Sequence, residues 1–388
     1  MIPRRAVVAT LAAFGLAVHL SAEGRQAAPP LSSVIGQLGS LDFKTRTAAE
    51  QTIRRVPATT AVPALVEAVR ANADGYVRYQ ALVLLSGFGV DAANEPMRQV
   101  LTDKNDRLRA VAYAWFEHHP QADVTPTLVA ALVTEESEFV RPALTRAIAA
   151  TRDEARVTAT LVPLVQRGVN FFRSGVMEAL GDYQAKSAVP ALIEAAKQDG
   201  PLQENAIEAL GKIGDTSVVS FLVSLQASVP PEVQPSVAAA VCQLGVDCEA
   251  QIRFIIATLA AASGDDARER LAEAAAHALA VLAVGGKQTA LTALLDAGEA
   301  AVEPGRSPIA LAAGYVALRQ PDVMLKAIEA RAARPATLAL LRDAFDILSD
   351  EDFERECFYA DVRRLYWEAS EESPERQTAQ AVIAVLEF

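Results

Sequence analysis

The stretch AVPALIEAAKQDGPLQENAIEALGKIGD, residues 188–215, decides the fold. Its first eight residues recur as AVPALVEA at 61–68, an offset of 127 residues that fits four units of about 32 residues each. Prolines at the corresponding places predict the first turn of a helix, since proline lacks the N–H that would have no partner there. These prolines are Pro63, Pro96, Pro126 and Pro190.

A second periodic feature, called here the arginine ladder, recurs at intervals of 30 to 32 residues. Apolar or small residues follow each ladder position by three and seven residues, which places them on one helical face. Good N-cap residues precede it by four residues in most units. Each unit is therefore predicted to be a hairpin of helices A and B, with the ladder in the first turn of helix B. The ladder comprises Arg46, Arg78, Arg109, Arg141 and Arg173, continued by Gln203 and Gln234.

Residues 188–215 resemble the short HEAT repeats of the phycobilisome-lyase type, and the similarity extends from about 40 to 245. The signatures of tetratricopeptide and ankyrin repeats are absent. The resemblance implies an all-α fold, a right-handed α-solenoid of about ten stacked helical hairpins. One hairpin cannot bury both of its apolar faces, so neighbouring units must stack. We expect the solenoid over 31–349.

The N-terminus predicts export. Arg4 and Arg5 precede an uncharged apolar run over 6–18, and Ala22 offers a small residue at a cleavage point. This pattern is typical of a signal peptide, here 1–22, followed by a linker over 23–30. An uncleaved anchor is the alternative. We expect a periplasmic or secreted chain with no membrane span after removal of the leader.

The segment 350–388 differs in composition, with many aromatic and acidic residues. One interpretation is a helical C-terminal cap that closes the apolar end of the stack. The other is an aromatic contact surface for a partner.

The chain has three cysteines. Cys242 and Cys248 flank Gly245, which permits a sharp turn between them. An exported chain reaches an oxidising compartment, where a disulfide can form. The sequence leaves open whether they bond or stay as two packed thiols. Cys357 is expected to remain free.

The sequence offers little for catalysis. It has only four histidines. It also has no glycine-rich phosphate loop and no recognisable pair of a nucleophile and a base. We therefore expect neither an enzyme nor a bound cofactor or metal. The alternative, implied by the resemblance, is an enzyme or cofactor-handling repeat protein related to bilin lyases. A net charge of −12 argues against nucleic acid as a partner.

The ladder arginines allow two interpretations. They line an anion-binding groove, or they repeat a structural hydrogen bond to carboxylates and carbonyls along the stack. Glutamine at 203 and 234 favours the structural role, because an amide bonds backbone groups without supplying charge.

The function favoured by the sequence is a scaffold that binds a protein or peptide. HEAT solenoids line their concave side with B helices, so residues one and five positions after the ladder are expected to form the binding face. Its early part is apolar and its later part acidic, which suits a segment with one apolar and one basic end. The candidate binding residues are Tyr79, Val83, Arg146, Glu178, Glu204 and Glu208.

Overall fold

The computed structural model describes residues 30–262, 268–332 and 334–388. Within these ranges the chain forms 22 α-helices and no β-strand. Helices α1–α20 form ten consecutive hairpins, which confirms the predicted α-solenoid. The predicted signal peptide 1–22 and nearly all of the linker 23–30 lie outside the described residues. In the described part, no helix combines the length and the apolar character that crossing a membrane requires.

The A helices are α1 (Leu31–Gly36), α3 (Ala58–Ala71), α5 (Val90–Val100), α7 (Thr125–Thr134), α9 (Glu154–Thr160), α11 (Val189–Ala196), α13 (Val219–Gln226), α15 (Cys248–Ala262), α17 (Gln288–Ala300) and α19 (Pro321–Ala330). The B helices are α2 (Phe43–Arg54), α4 (Gly75–Ser86), α6 (Asp106–His118), α8 (Arg141–Ala150), α10 (Asn170–Asp182), α12 (Gln203–Ile213), α14 (Gln234–Gln243), α16 (Glu269–Val284), α18 (Arg306–Arg319) and α20 (Arg334–Ile347). Two further helices follow, α21 (Asp352–Glu368) and α22 (Pro374–Leu386).

The prolines mark helix starts in only some of the units. Pro126 and Pro190 occupy the first turns of α7 and α11, as predicted. Pro63 and Pro96 lie inside α3 and α5, because these two A helices begin several residues earlier. The first turn of α3 follows Pro57, which already fixes the entry of the chain.

The apolar stripe predicted for helix B is buried in every unit where it was assigned. Ala81 and Leu85 of α4, and Leu144 and Ile148 of α8, are fully inaccessible to solvent. Successive B helices approach closely where a glycine faces the next unit: a Cβ on Gly211 would lie 2.7 Å from the Cα of Ala240. The B helices therefore stack through small side chains into one continuous core.

The arginine ladder ties helix B to the C-terminal end of helix A, whose last carbonyls have no intrahelical partner. Arg78 donates to the carbonyl of Val69 at 2.7 Å, and Arg173 donates to that of Val165, in the 3-10 turn that follows α9, at 2.9 Å. Gln203 makes the same bond to Ala196 at 3.0 Å with its amide. The ladder also reaches carboxylates of the next unit: Arg109 binds Glu135 through two bonds of 2.7 and 2.8 Å.

Two features of the ladder were not anticipated. Arg141 makes no bond through its buried Nε to any described residue, and its guanidinium instead lies 3.9 Å from the ring centre of Phe172. The ladder also continues past 245, where Arg306 donates to the carbonyl of Gly298 and to Asp343. The sequence spacing hides this later member, because the units lengthen.

The C-terminal segment 350–388 does more than cover the end of the stack. Helix α22 packs against α19 and α20, whereas α21 reaches back to α4 in the second unit. Asp352 accepts hydrogen bonds from Tyr79 and Gln80, both at 2.9 Å. Glu356 accepts one from Arg54 at 2.8 Å. The solenoid therefore curls until its two ends meet, with α21 between them.

The structure joins Cys242 and Cys248 in a disulfide, the pairing that the sequence left open. Cys242 lies in the last turn of α14 and Cys248 begins α15, and Gly245 between them takes a positive φ of 84°. Cys357 is free, and burial raises the pKa of its thiol.

The ladder gives a graded prediction. Replacing Arg109 by Ala leaves the carboxylate of Glu135 buried without its partner, and should lower the free energy of unfolding by about 3 kcal/mol. Replacing Arg141 by Ala removes only a stacking contact with Phe172, and should lower it by about 1 kcal/mol. Urea denaturation of both variants measures the difference. Equal losses, or no loss for Arg109→Ala, would contradict the carboxylate-pairing role.

Candidate functional site on the inner face

The inner face is formed by two rows of B-helix side chains, one and five positions after the ladder. The first row is Thr47, Tyr79, Ala110, Pro142, Ser174 and Glu204. The second row is Gln51, Val83, Ala114, Arg146, Glu178 and Glu208.

The structure corrects the expectation that both rows are open to a partner. Val83 is only 3% exposed, and Ala114 is also buried. Arg146, Glu178 and Glu208 are engaged in ion pairs with other helices of the same chain. The second row is therefore used for internal contacts, because the curled solenoid brings distant units against it.

Glu117 of α6 is the centre of these contacts, and the sequence pattern gave no reason to select it. Its side chain is almost fully buried and accepts a hydrogen bond from Arg146 at 2.9 Å. It also accepts one from the hydroxyl of Tyr183 at 3.1 Å, and Arg319 lies 3.7 Å away. A buried carboxylate needs such partners, since an unpaired charge is strongly destabilising there.

Arg319, the last residue of α18, connects the ninth unit to the fifth. It donates to Glu178 at 2.9 Å and lies 3.3 Å from Asp182, both on α10. These carboxylates raise the pKa of the guanidinium well above its usual range despite the opposing effect of burial. Glu178 is therefore a bridge between distant units and not a free acidic contact.

A second bridge surrounds Glu208 of α12. Lys212 lies 2.6 Å from Glu208 and 2.7 Å from Asp182, and His277 of α16 lies 2.8 Å from Glu208. Burial disfavours the charged carboxylate, but Lys212 and His277 outweigh it and hold the pKa of Glu208 well below its usual range. Glu204, one turn earlier, is half-buried, and burial raises the pKa of its carboxyl.

A chamber of about 540 Å³ lies beside this network. One wall is charged and the other is apolar, formed by α18 and the end of α20. Its lining includes Arg146, Glu178, His277, Leu311, Tyr315 and Glu351.

A larger concavity, called here the inner cleft, lies between the first three units and the C-terminal segment. It has a volume of about 910 Å³, and Thr47, Tyr79 and Ala110 of the first row line it. Phe43 at its rim is 68% exposed. The opposite wall is made by Arg342, Phe345, Asp352, Arg355, Tyr359 and Phe388. Of the predicted binding residues, Tyr79 alone lines this cleft.

Glu117, His118 and Glu354 lie close enough together to share a metal ion. However, both oxygens of Glu117 already accept hydrogen bonds, from Arg146 and Tyr183. His118 lies 3.2 Å from both oxygens of Glu354. Two nearby guanidinium groups also oppose a cation there. The arrangement is that of an ion-pair network.

The pairing of His277 with Glu208 predicts that the contribution of His277 to stability depends on pH. Burial alone would lower the pKa of His277, but Glu208 raises it above the ordinary 6.5. A raised folded-state pKa contributes stability below 6.5, and this contribution disappears as the pH rises through that pKa. His277→Gln should therefore lower the free energy of unfolding more at about pH 5 than at about pH 9. Urea denaturation of wild type and variant at the two pH values measures it.

His119 provides the control, because burial lowers its pKa and its ring stacks on Trp115. A lowered histidine pKa contributes stability above 6.5 that is lost as the pH falls. The loss caused by His119→Gln should therefore be larger at the higher pH. The same pH trend in both variants would contradict the assigned bridge.

Comparisons with known proteins agree with the repeat architecture. Residues 171–242 match the family model for HEAT repeats, which covers α10 to α14. No curated protein matches the chain. A structure of the complex of CpcE and CpcF of phycocyanin lyase from Nostoc sp. PCC7120 is similar, with 17% identity and a TM-score of 0.36 over 59% of this chain and 92% of that chain.

Two other solved structures are similar over most of this chain. Kap121p shares 15% identity with a TM-score of 0.34, over 92% of this chain and 40% of that chain. She4p shares 11% identity with a TM-score of 0.36, over 92% of this chain and 63% of that chain. The ten stacked hairpins make the described chain an α-solenoid, and its part over 171–242 matches HEAT repeats.

Proposed function

We propose that this protein is an exported scaffold that binds a protein or peptide in the inner cleft. The observation that carries the proposal is the cleft itself, a concavity of about 910 Å³ lined by Thr47, Tyr79 and Ala110 of the first inner row. The second row is buried or ion-paired within the chain, so this part of the first row is what the concave face offers to a partner.

The chemistry of the cleft suits a polypeptide. Aromatic and arginine side chains are enriched in protein interfaces, where they anchor most of the binding energy. Several of each line this cleft, and acidic residues balance the arginines. The aromatic residues are Phe43, Tyr76, Tyr79, Phe345, Tyr359 and Phe388. Side chains of both signs offer pairing to a polar peptide, whereas the net charge of −12 disfavours nucleic acid.

Export is supported by two independent features. The first is the run of two arginines, an apolar stretch and a small residue at the N-terminus. The second is the bond between Cys242 and Cys248, because disulfides persist mainly in oxidising compartments. The proposed location is periplasmic or secreted.

The proposal is a non-catalytic role. The buried titratable groups of the inner face are paired with one another, which suits a structural network better than proton transfer to a substrate. The rival is an enzyme or cofactor-handling protein related to bilin lyases. An absorption spectrum of the purified native protein separates the two, because a bound chromophore absorbs visible light.

One experiment tests binding and export together. The tagged chain is recovered with its partners from the exported fraction of its source cells. A double variant, Phe43→Ala with Tyr76→Ala, should retain about tenfold less partner, because it removes two aromatic anchors from the cleft rim. Mass spectrometry should show a mature chain that begins near Glu23.

Phe254→Ala is the matched control, since Phe254 is a partly exposed phenylalanine on α15, outside the cleft lining. It should retain its partners as wild type does, and all variants should melt as wild type does. Undiminished partner recovery with the double variant would overturn the cleft as the binding site. A full-length chain in the cytoplasm would overturn export.

A further inference from the structure

A pair of exposed phenylalanines lies on the edge of the solenoid where helix A turns into helix B. Phe139 is 88% exposed and Phe171 is 55% exposed, and their ring centres are 6.1 Å apart. The two occupy equivalent places in successive units, each two residues before a ladder arginine. Val169, two residues before Phe171, is also exposed. Exposed apolar side chains grouped in this way mark interaction sites more often than single ones do.

The phenylalanines border a depression of about 680 Å³ with an acidic rim. We call it the edge patch; its lining residues are Asp106, Glu136, Ser137, Glu138, Phe139 and Phe171. Among the described residues, none of the ion pairs involves Asp106, Glu136 or Glu138. Glu117, Glu178 and Glu208 on the inner face are ion-paired within the chain. The three carboxylates of the edge patch are exposed beside two exposed rings, and Asp106 accepts a hydrogen bond from the hydroxyl of Ser137 at 3.1 Å.

Aromatic rings beside unpaired carboxylates favour a cationic side chain that has an apolar stem. A guanidinium or ammonium group binds the face of an aromatic ring and the carboxylates at the same time. The chain itself contains a cation–aromatic contact of this kind: the guanidinium of Arg107 lies 5.6 Å from the ring centres of both Tyr76 and Tyr79. No cation of the described residues lies over Phe139 or Phe171.

We propose that the edge patch is a second docking surface, which binds a segment of a partner protein carrying an arginine or lysine next to an apolar side chain. The charge complementarity selects this occupant, since three unpaired acids surround two exposed rings. The net charge of −12 steers a basic segment toward the protein. The proposal is independent of the inner cleft, because the two surfaces share no lining residue.

The test uses a fluorescein-labelled peptide that alternates arginine and leucine, with fluorescence anisotropy as the readout. The same peptide with glutamate in place of arginine is the negative probe. Phe139→Ala should weaken binding of the arginine peptide by about tenfold, because it removes the more exposed ring. Glu136→Gln with Glu138→Gln should also weaken it and reduce its dependence on salt.

The matched control removes the same charge elsewhere. Glu371 and Glu372 are an exposed acidic pair in the turn between α21 and α22. Glu371→Gln with Glu372→Gln should leave the affinity unchanged. Phe43→Ala should also leave it unchanged, so a failure of the cleft proposal is distinguishable from a failure of this one.

Three outcomes would overturn the edge patch. The first is equal binding of the peptide to wild type and Phe139→Ala. The second is an equal loss in both glutamine double variants, which would mean attraction by net charge alone. The third is a wild-type dimer in analytical ultracentrifugation that Phe139→Ala converts to a monomer, which would make a second copy of the chain the occupant.

Discussion

A buried carboxylate joins the two ends of this solenoid. The side chain of Glu356 is fully buried on α21, and it accepts hydrogen bonds from Arg54 at 2.8 Å and from Arg363 at 3.0 Å. Arg54 belongs to the B helix of the first unit, so the pair forms only when the superhelix curls far enough for its ends to meet. Removing one partner of a buried ion pair is strongly destabilising. The pair of Glu356 with Arg54 therefore holds the two ends of the solenoid together, an arrangement called here the closure. The inner cleft depends on it, since its walls come from both ends of the chain.

The same closure changes the role of the charges on the inner face. In an open solenoid, Glu178 and Glu208 would be solvated and available to a partner. Here Glu178 binds Arg319 from the ninth unit, and Glu208 binds His277 from the eighth. Contacts of this kind set the curvature, because each one requires a particular distance between non-adjacent units. The second inner row is therefore occupied by contacts within the chain, whereas Phe139 and Phe171 of the edge patch remain exposed.

The sequence predicted most of what is local and periodic, although Pro63 and Pro96 lie inside their helices and do not start them. The ladder spacing predicted the hairpins, and the residues three and seven positions later proved to be buried, such as Ala81 and Leu85. The closure was not predictable, because a repeat pattern describes neighbouring units and says nothing about how far the stack turns. Glu117 shows the limit: it lies next to His118 in an ordinary helix, and only the three-dimensional curvature brings Tyr183 and Arg319 to it. Val83 was misplaced for the same reason, since α21 approaches α4 from the far end of the chain.

Small-angle X-ray scattering on the purified chain tests the closure most directly, with Glu356→Lys as the perturbation. We predict a compact wild type and a larger radius of gyration for the variant, because lysine at that position repels Arg54 and Arg363. Circular dichroism should show that the helices persist in the variant, since the repeat stack itself is intact. An unchanged radius of gyration in a folded Glu356→Lys variant would mean that the ion pairs of Glu356 do not hold the two ends of the solenoid together.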